Sequence, residues 1–147
     1  MFNERVRDFM TRDVTTISPN QTLPEAHDLM RKYKIRRVPV VDDGQLVGIL
    51  TLGDVREAGA SDATSLSIFE LNYLLARLKI SEIMTRDPLT VSPETGLAEA
   101  AKLMLHHKIG GLPVLEGHSL VGIITESDIF RAYVRLADRL ELETAAS

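Results

Sequence analysis

The sequence predicts an α+β fold made of two pseudo-symmetric copies of one β-α-β-β-α unit, packed as one module. The first observation is an internal repeat: MTRDVTTISP at 10–19 returns as MTRDPLTVSP at 84–93, and the offset of 74 residues holds without a gap to 58 and 132. The second is that each copy has a segment of helical periodicity followed by two short β-branched runs around a turn. A copy of about fifty residues is small for an independent core, so we expect the copies to share one.

The first copy begins with a short extended piece at 14–17, followed by a helix. Thr22 and Glu25 have the spacing of a capping box, in which each side chain satisfies a backbone N–H, and they predict where the helix begins. One apolar stripe with a 3.6-residue period then runs through Ala26, Leu29, Met30 and Tyr33.

A hairpin and a second helix complete each copy. The β-branched runs at 38–41 and 46–50 flank the turn sequence DDGQ, and the second copy repeats the pattern at 112–115 and 120–124. A second helix is expected to begin near Thr51 and near Thr125.

Two further helices lie outside the repeated cores. A small, polar connection at 57–65 is predicted to be flexible, and leucines at helical spacing predict an amphipathic helix over 67–79. The C-terminal helix carries an apolar stripe and fades into a polar tail at 143–147. The stripe consists of Phe130, Tyr133, Val134 and Ala137. The predicted division is a first repeat at 6–60, a linker and amphipathic helix at 61–79, a second repeat at 80–135, and the end of the C-terminal helix with its tail at 136–147.

Composition and charge argue against several classes of function. The 147 residues include no cysteine, which excludes disulfides, thiolate metal sites and a cysteine nucleophile. A net charge of −4 argues against general nucleic-acid binding, although the basic residues at 31–37 leave a local patch. Apolar runs far shorter than the ~20 residues of a membrane span, and a charged N-terminus, predict a cytoplasmic protein with no membrane association.

Catalytic and metal chemistry are also not expected. His106 and His107 are consecutive, so on a helix their side chains point about 100° apart and do not chelate one ion. The sequence contains no nucleophile with a recognisable base. We therefore predict a protein that is not an enzyme and has no metal site.

The most informative repeated string is GILTLGD at 48–54, matched by GIITESD at 122–128. Each runs from a strand into a helix, with Thr at the junction and Asp in the first turn. Unpaired N–H groups at a helix start favour an anion, and the carboxylates of Asp54 and Asp128 suit the two hydroxyls of a ribose. The alternative is that Thr51 and Asp54 only cap the helix.

The order of the paired motifs resembles the cystathionine β-synthase (CBS) domain in its usual tandem arrangement. The motifs are MT-x-D, a Thr before the first Ser-Pro, hydrophobic-Pro-Val, and Gly-h-h-Thr-x-x-Asp, in which h is hydrophobic, and they cover about 6–133. The resemblance implies a regulatory module that binds adenosine-containing ligands in clefts between the copies. AMP, ADP, ATP, NAD and S-adenosylmethionine are candidates, as regulatory ligands rather than required cofactors.

The resemblance also implies two sets of ligand-binding residues. The Thr of the first strand and the backbone around hydrophobic-Pro would hold adenine, and the Thr and Asp of the last motif would hold phosphate and ribose. The first set is Thr16, Arg37, Val38, Pro39, Thr51 and Asp54; the second is Thr90, Gly111, Leu112, Pro113, Thr125 and Asp128.

The copies differ where a phosphate would lie. The first has a cluster of cations, Arg31, Lys32, Lys34, Arg36 and Arg37, where the second reads LHHKIGG at 105–111. These cations either match the dipole of a solvated helix end, or Arg36 or Arg37 neutralises a phosphate and phosphate-bearing ligands prefer the first set. Glu126 adds an acid beside the second set, so we do not expect a triphosphate there.

We therefore predict a stand-alone regulatory protein whose nucleotide biases the packing of its repeats and changes contacts with a partner protein or within a homodimer. Family members commonly pair into flat dimers through their helices. The first alternative is a structural dimer with vestigial clefts. The second is a regulatory subunit of an enzyme, as in acetoin-utilisation or inosine monophosphate dehydrogenase-like systems.

Overall fold

The computed structural model describes residues 3–61 and 67–146. It divides the chain into two compact units: the first unit is Val14–Pro88, and the second unit combines Met1–Asp13 with Leu89–Ser147. In chain order the elements are α1 (Val6–Phe9), α2 (Leu23–Tyr33), β1 (Arg37–Asp42), β2 (Gln45–Thr51), α3 (Leu52–Ser61), α4 (Ile68–Arg77), α5 (Ile80–Ile83), β3 (Thr85–Arg86), α6 (Leu97–His107), β4 (Gly111–Glu116), β5 (Ser119–Thr125) and α7 (Glu126–Ala146). The two β-α-β-β-α copies, the linker helix and the C-terminal helix are thus all present.

In the first unit, β2 is the central strand of a three-stranded antiparallel sheet, between β1 and β3. The segment at 14–17 contributes only a single parallel bridge, between Ile17 and Val40. Buried side chains from the sheet and helices form the core: Ile17, Leu23, Ala26, Met30, Val38, Val40, Leu50, Val55 and Ile80. The segment at 14–17 therefore lies beside β1 at one edge of the sheet, and Thr85–Arg86 forms the other edge beside β2, where the sequence predicted no strand.

The second unit has the same plan around the antiparallel pair of β4 and β5. A parallel bridge joins Val91 to Val114, and an antiparallel bridge joins Thr11 to Ile123. Its core contains Val6, Met10, Val91, Leu97, Ala100, Met104, Leu112, Val114, Ile124 and Ala132. The equivalent residues of the two copies therefore occupy equivalent places in two sheets.

The repeated MTRD strings explain the glycine of each Gly-h-h-Thr motif. A Cβ added at Gly48 would lie 2.7 Å from Met84 Sδ and 2.8 Å from the Thr85 carbonyl oxygen. A Cβ at Gly122 would lie 2.8 Å from the Thr11 carbonyl oxygen. In each unit a glycine therefore leaves room for the MTRD string of the other sequence copy. The two compact units do not coincide with the predicted repeats, because each contains the MTRD string of the other copy. The predicted repeat limits stay a prediction.

Several local expectations need correction. Helix α2 follows Thr22 as predicted, but there is no capping box, since the Thr22 hydroxyl donates to Glu25 Oε1 at 3.1 Å and caps no backbone N–H. Helix α3 continues to Ser61, into the predicted flexible connection, and residues 62–65 of that connection lie outside the described residues. Helix α7 extends to Ala146, where a polar tail was expected from 143.

The apolar stripe of α7 does not belong to the core of its unit. Phe130, Tyr133 and Val134 are 65%, 70% and 55% exposed, whereas Ala132 is buried. The amphipathic linker helix α4 begins after Ser67, whose hydroxyl accepts the Glu70 N–H at 3.2 Å, and packs on α2. Among the described residues, no helix combines the length and apolar character that a membrane span needs.

Candidate functional site

The first predicted set of residues lies on three adjacent chain segments of the first unit, and we call it the first site. The Ile17 N–H donates to the Pro39 carbonyl at 3.1 Å, and the Val41 N–H donates to the Ile17 carbonyl at 2.9 Å. Thr16, which is exposed, is therefore next to β1. On the other side of β1, Arg37 is directly opposite Thr51 of β2.

The backbone of β1 has a defined orientation at this site. In an antiparallel strand the N–H and C=O groups of one residue point to the same side and alternate along the chain. Because the Pro39 carbonyl points toward Ile17, the peptide groups of Arg37 also face that side, whereas those of Val38 face β2. The Val38 side chain is fully buried in the core, so Val38 supports the site without presenting a side chain to it.

Thr51 and Asp54 hold each other at the start of α3. Asp54 Oδ2 accepts the Thr51 N–H at 2.9 Å, and the Asp54 N–H donates to Thr51 Oγ1 at 3.1 Å. The Leu52 N–H donates to the Arg36 carbonyl at 2.8 Å. Thr51 and Asp54 therefore do cap the helix, as the alternative interpretation proposed. The N–H groups of Leu52 and Asp54, both in the first turn, already have acceptors.

The capping residues still have hydrogen-bonding groups that a ligand can use. The Thr51 hydroxyl oxygen accepts the Asp54 N–H, so its proton can be donated elsewhere. The Asp54 side chain is partly exposed, and a carboxylate has about four lone-pair positions. The junction can therefore accept from hydroxyl groups and donate to an anion.

The second predicted set, the second site, has the same layout in the second unit. The Val91 N–H donates to the Pro113 carbonyl at 3.1 Å, which places Thr90 beside β4. Gly111 is opposite Thr125, and Leu112 is fully buried in the core. Each set of six is thus brought together within one unit, around equivalent strand-to-helix junctions.

The acid of the second site has a different environment. The Asp128 side chain is fully buried, and its Oδ2 accepts from the Thr125 N–H at 2.9 Å and from the Thr125 hydroxyl at 3.1 Å. Its Oδ1 accepts from the Thr11 hydroxyl at 3.4 Å and from the Arg131 guanidinium. Asp128 therefore meets four donors within its own unit.

Sequence reasoning missed Thr11 and Arg131. Arg131 follows Asp128 by three residues, a spacing that brings two side chains together on a helix and that could have identified it. Thr11 carries no such local signal, because it is 117 residues from Asp128 in sequence.

The basic residues of the first copy separate into two groups. Arg31 and Lys32 are exposed in the last turn of α2, where Arg31 lies 4.0 Å from Asp28. Lys34 ends that helix in the left-handed region, with φ of 54°. Arg36 and Arg37, in contrast, lie beside the Thr51–Asp54 junction: Arg36 is exposed and its carbonyl accepts the Leu52 N–H, and Arg37 is partly buried opposite Thr51.

The described residues hold no candidate metal centre. No group of three His, Asp or Glu side chains there is placed to hold an ion, and His106 and His107 contact each other edge-on at 4.9 Å. The site is made of hydroxyls, carboxylates, backbone groups and one arginine, which is suited to a polar organic ligand.

The chain is a tandem repeat of two sheet-and-helix units, each with a Thr-x-x-Asp junction beside a hydrophobic-Pro strand. The family model of the CBS domain matches residues 6–61 and 80–135, and the chain belongs to that family.

Similar proteins come from several organisms. A solved acetoin utilization protein, AcuB from Vibrio cholerae, is 37% identical with a TM-score of 0.79, over 94% of this chain and 96% of that one. The CBS domain pair of protein MJ0100, solved with 5′-methylthioadenosine and S-adenosyl-L-methionine, is 30% identical with a TM-score of 0.76, over 88% and 95% of the two chains. CBSX2 from Arabidopsis thaliana, solved with AMP, is 28% identical with a TM-score of 0.76, over 90% and 98%.

The family also includes parts of larger enzymes. Inosine-5′-monophosphate dehydrogenase of Korarchaeum cryptofilum is 40% identical over 128 residues, which is 86% of this chain. The chain spans 24% of that enzyme's length.

Proposed function

We propose that this protein is a regulatory module that binds an adenine nucleotide or related adenosyl ligand at the first site. Occupancy then changes its contacts with a partner protein or its own assembly. The observation that carries the proposal is the convergence of Thr16, Arg37 and the Thr51–Asp54 junction on three adjacent segments of one unit. Relatives solved with AMP, and with 5′-methylthioadenosine and S-adenosyl-L-methionine, support this ligand class.

Each part of the nucleotide has a matching group. Adenine has an acceptor nitrogen beside an amino donor. The edge of β1 that faces Ile17 presents the Thr16 hydroxyl and the Arg37 peptide groups, which can donate to that nitrogen and accept from that amino group. The ribose hydroxyls match the partly exposed Asp54 carboxylate. A phosphate matches the Thr51 hydroxyl and the Arg37 guanidinium.

The second site is proposed as a second position for the same ligand class, since Thr90, Gly111 and Pro113 repeat the layout of the first. Glu126 is exposed at the start of α7 beside Thr125, where its charge opposes that of a phosphate. Adenosine and AMP therefore fit this site better than ATP does.

A thermal-shift screen with AMP, ADP, ATP, NAD and S-adenosylmethionine tests the proposal. A ligand at a hundred times its Kd stabilises the folded state by about 2.7 kcal/mol, so at least one should raise the unfolding midpoint. Thr16→Val, which removes an exposed hydroxyl, should weaken the response, and Thr15→Val is the matched control that should not. No shift with any of the five ligands, at concentrations up to their solubility, would contradict the proposal.

Homodimer formation is the output that the exposed apolar surface supports. A groove of about 520 Å³ lies between α6 and the start of α7, and includes Leu105 and Phe130, which are 79% and 65% exposed. At the equivalent positions the first copy has Arg31 and Arg56. Exposed apolar side chains that line one groove are typical of an interaction surface.

Equilibrium sedimentation of the wild type, Leu105→Arg and Phe130→Arg tests the dimer. Each variant carries the residue of the other copy, so both should sediment as monomers if the wild type is a dimer. Leu142→Arg, at a position 71% exposed further along α7, is the control and should stay a dimer. A monomeric wild type would contradict this part of the proposal.

The regulated partner is proposed to be a metabolic enzyme. The support is the similarity to an acetoin utilization protein and to a segment of a dehydrogenase. The module itself is proposed to have no catalytic step and no required cofactor. A cytoplasmic location is part of the proposal, since its ligands are cytoplasmic metabolites.

A further inference from the structure

The second unit contains a carboxylate that its own side chains already use. Asp128 is the one charged side chain that is fully buried among the described residues. Thr125 supplies two donors to Oδ2, and Thr11 and Arg131 each supply one to Oδ1. A ribose placed against Asp128 would have to replace at least one of these donors.

Arg131 is the partner that the two copies do not share. The equivalent residue of the first copy is Glu57, which when ionised carries the same charge as Asp54 and cannot donate to it. The Arg131 side chain is 63% exposed even though its guanidinium reaches a buried acid. Its guanidinium therefore reaches Asp128 from the surface and takes up an acceptor position on Oδ1.

We infer that Arg131 is a specificity-determining residue that pairs with Asp128 and weakens ribose binding at the second site, so that the first site is filled preferentially. The inference deepens the proposed function and rests on it. A bond from a charged donor to a carboxylate is worth more than one from a ribose hydroxyl, so the exchange disfavours the ligand. The expected penalty at the second site is about 10- to 100-fold in affinity.

Calorimetric titration of the full chain with AMP and with adenosine tests this inference. The wild type should bind one equivalent per chain tightly. Arg131→Ala should add a second binding event for both ligands, because the Asp128 carboxylate is then free of its charged partner. Arg131→Lys, which keeps a cation, should behave more like the wild type.

A reciprocal substitution in the first unit tests the same idea without changing the second unit, whose stability Arg131→Ala could reduce. Glu57→Arg places in the first unit the residue that the second unit has, and should weaken AMP binding at the first site by about tenfold through an ion pair with Asp54. Glu57→Ala, which removes the same carboxylate without adding a cation, is the matched control and should bind AMP more tightly than Glu57→Arg does.

The outcomes separate the two proposals. One bound AMP in the wild type, with no second event in Arg131→Ala, overturns the inference about Arg131 but not the proposed function. Two AMP molecules bound with equal affinity by the wild type would also overturn the inference about Arg131 and leave the proposed function standing. A loss of AMP affinity but not adenosine affinity in Arg131→Ala would show instead that Arg131 binds phosphate, which also overturns the inference. Absence of AMP and adenosine binding in both the wild type and Arg131→Ala overturns both.

Discussion

The Thr-x-x-Asp junctions of the two units share a motif and a bond from the Thr N–H to the Asp carboxylate, but they differ in burial and in their other hydrogen-bond partners. Asp54 is partly exposed and shares a reciprocal pair of bonds with Thr51. Asp128 is fully buried and meets four donors, one of them Arg131. A residue one helical turn after the motif therefore changes the hydrogen-bond partners of the motif's carboxylate.

Replacing the two acids is the strongest way to test this comparison. Asp54→Ala should lower AMP affinity about 100-fold, because two bonds to a charged acceptor are lost. Asp128→Ala should leave that affinity within about twofold, since the residue acts in the other unit. Isothermal titration calorimetry measures both.

Stability should show the opposite order. Asp128→Ala should reduce the free energy of unfolding by about 3 kcal/mol, because several bonds to a buried charge disappear, and Asp54→Ala by about 1 kcal/mol through loss of a cap. Urea denaturation measures this. Equal effects of the two substitutions on binding, or a larger effect of Asp54→Ala on stability, would contradict the distinction.

The glycines of the two motifs should behave alike, in contrast to the acids. An added Cβ meets a backbone carbonyl at 2.8 Å at both Gly48 and Gly122, so Gly48→Ala and Gly122→Ala should each destabilise by about 2 kcal/mol. Gly59→Ala is the control: its Cβ would meet nothing within 4 Å in helix α3, and it should stabilise by about 1 kcal/mol. Unchanged stability in both motif variants would mean that the MTRD strings do not approach the sheets as closely as described.

The cation of the first site should distinguish ligands by their phosphate. Arg37→Ala should weaken AMP binding about tenfold and adenosine binding hardly at all, because only AMP has a group for the guanidinium. Arg31→Ala, in the exposed last turn of α2, is the control from the same basic cluster. An unchanged preference for AMP over adenosine in Arg37→Ala would remove Arg37 from the phosphate position.

The smallest expected difference between the copies is a pH effect at the start of α2. Hydrogen bonds from the Gln21 and Thr22 side chains hold the pKa of Glu25 below its ordinary value of 4.5. A lowered pKa in the folded state stabilises the fold above pH 4.5, and this contribution is lost as pH falls through the folded value. The effect is small because the side chain is exposed.

Thermal unfolding followed from neutral to acidic pH measures that effect. Glu25→Gln should lose slightly less stability on acidification than the wild type. Glu99→Gln is the matched control, because the equivalents of Gln21 and Thr22 in the second copy are Thr95 and Gly96. A Glu25→Gln profile identical to that of the wild type would argue against these hydrogen bonds in solution.

The elements that depend on local pattern could be predicted from the sequence. The repeat with its hairpins, and the helix starts after Thr51 and Thr125, follow from periodicity and turn residues and are confirmed. The placement of Thr85–Arg86 on β2 could not be predicted in this way, because pairing of strands distant in sequence leaves no periodic signal. The contact of Thr11 with Asp128 also leaves no periodic signal, because 117 residues separate the two. Helical periodicity alone does not show whether the stripe with Phe130 and Tyr133 faces the core or, as in the structure, the surface.

The most direct measurement is the location of AMP in a crystal structure of the protein grown with the nucleotide. We expect density beside Pro39 in the first unit, with ribose hydroxyls on Asp54 and the phosphate near Thr51 and Arg37, and with Arg131 still paired to Asp128. AMP bound through its ribose to Asp128 while the first site stays empty would contradict both the proposed function and the role of Arg131.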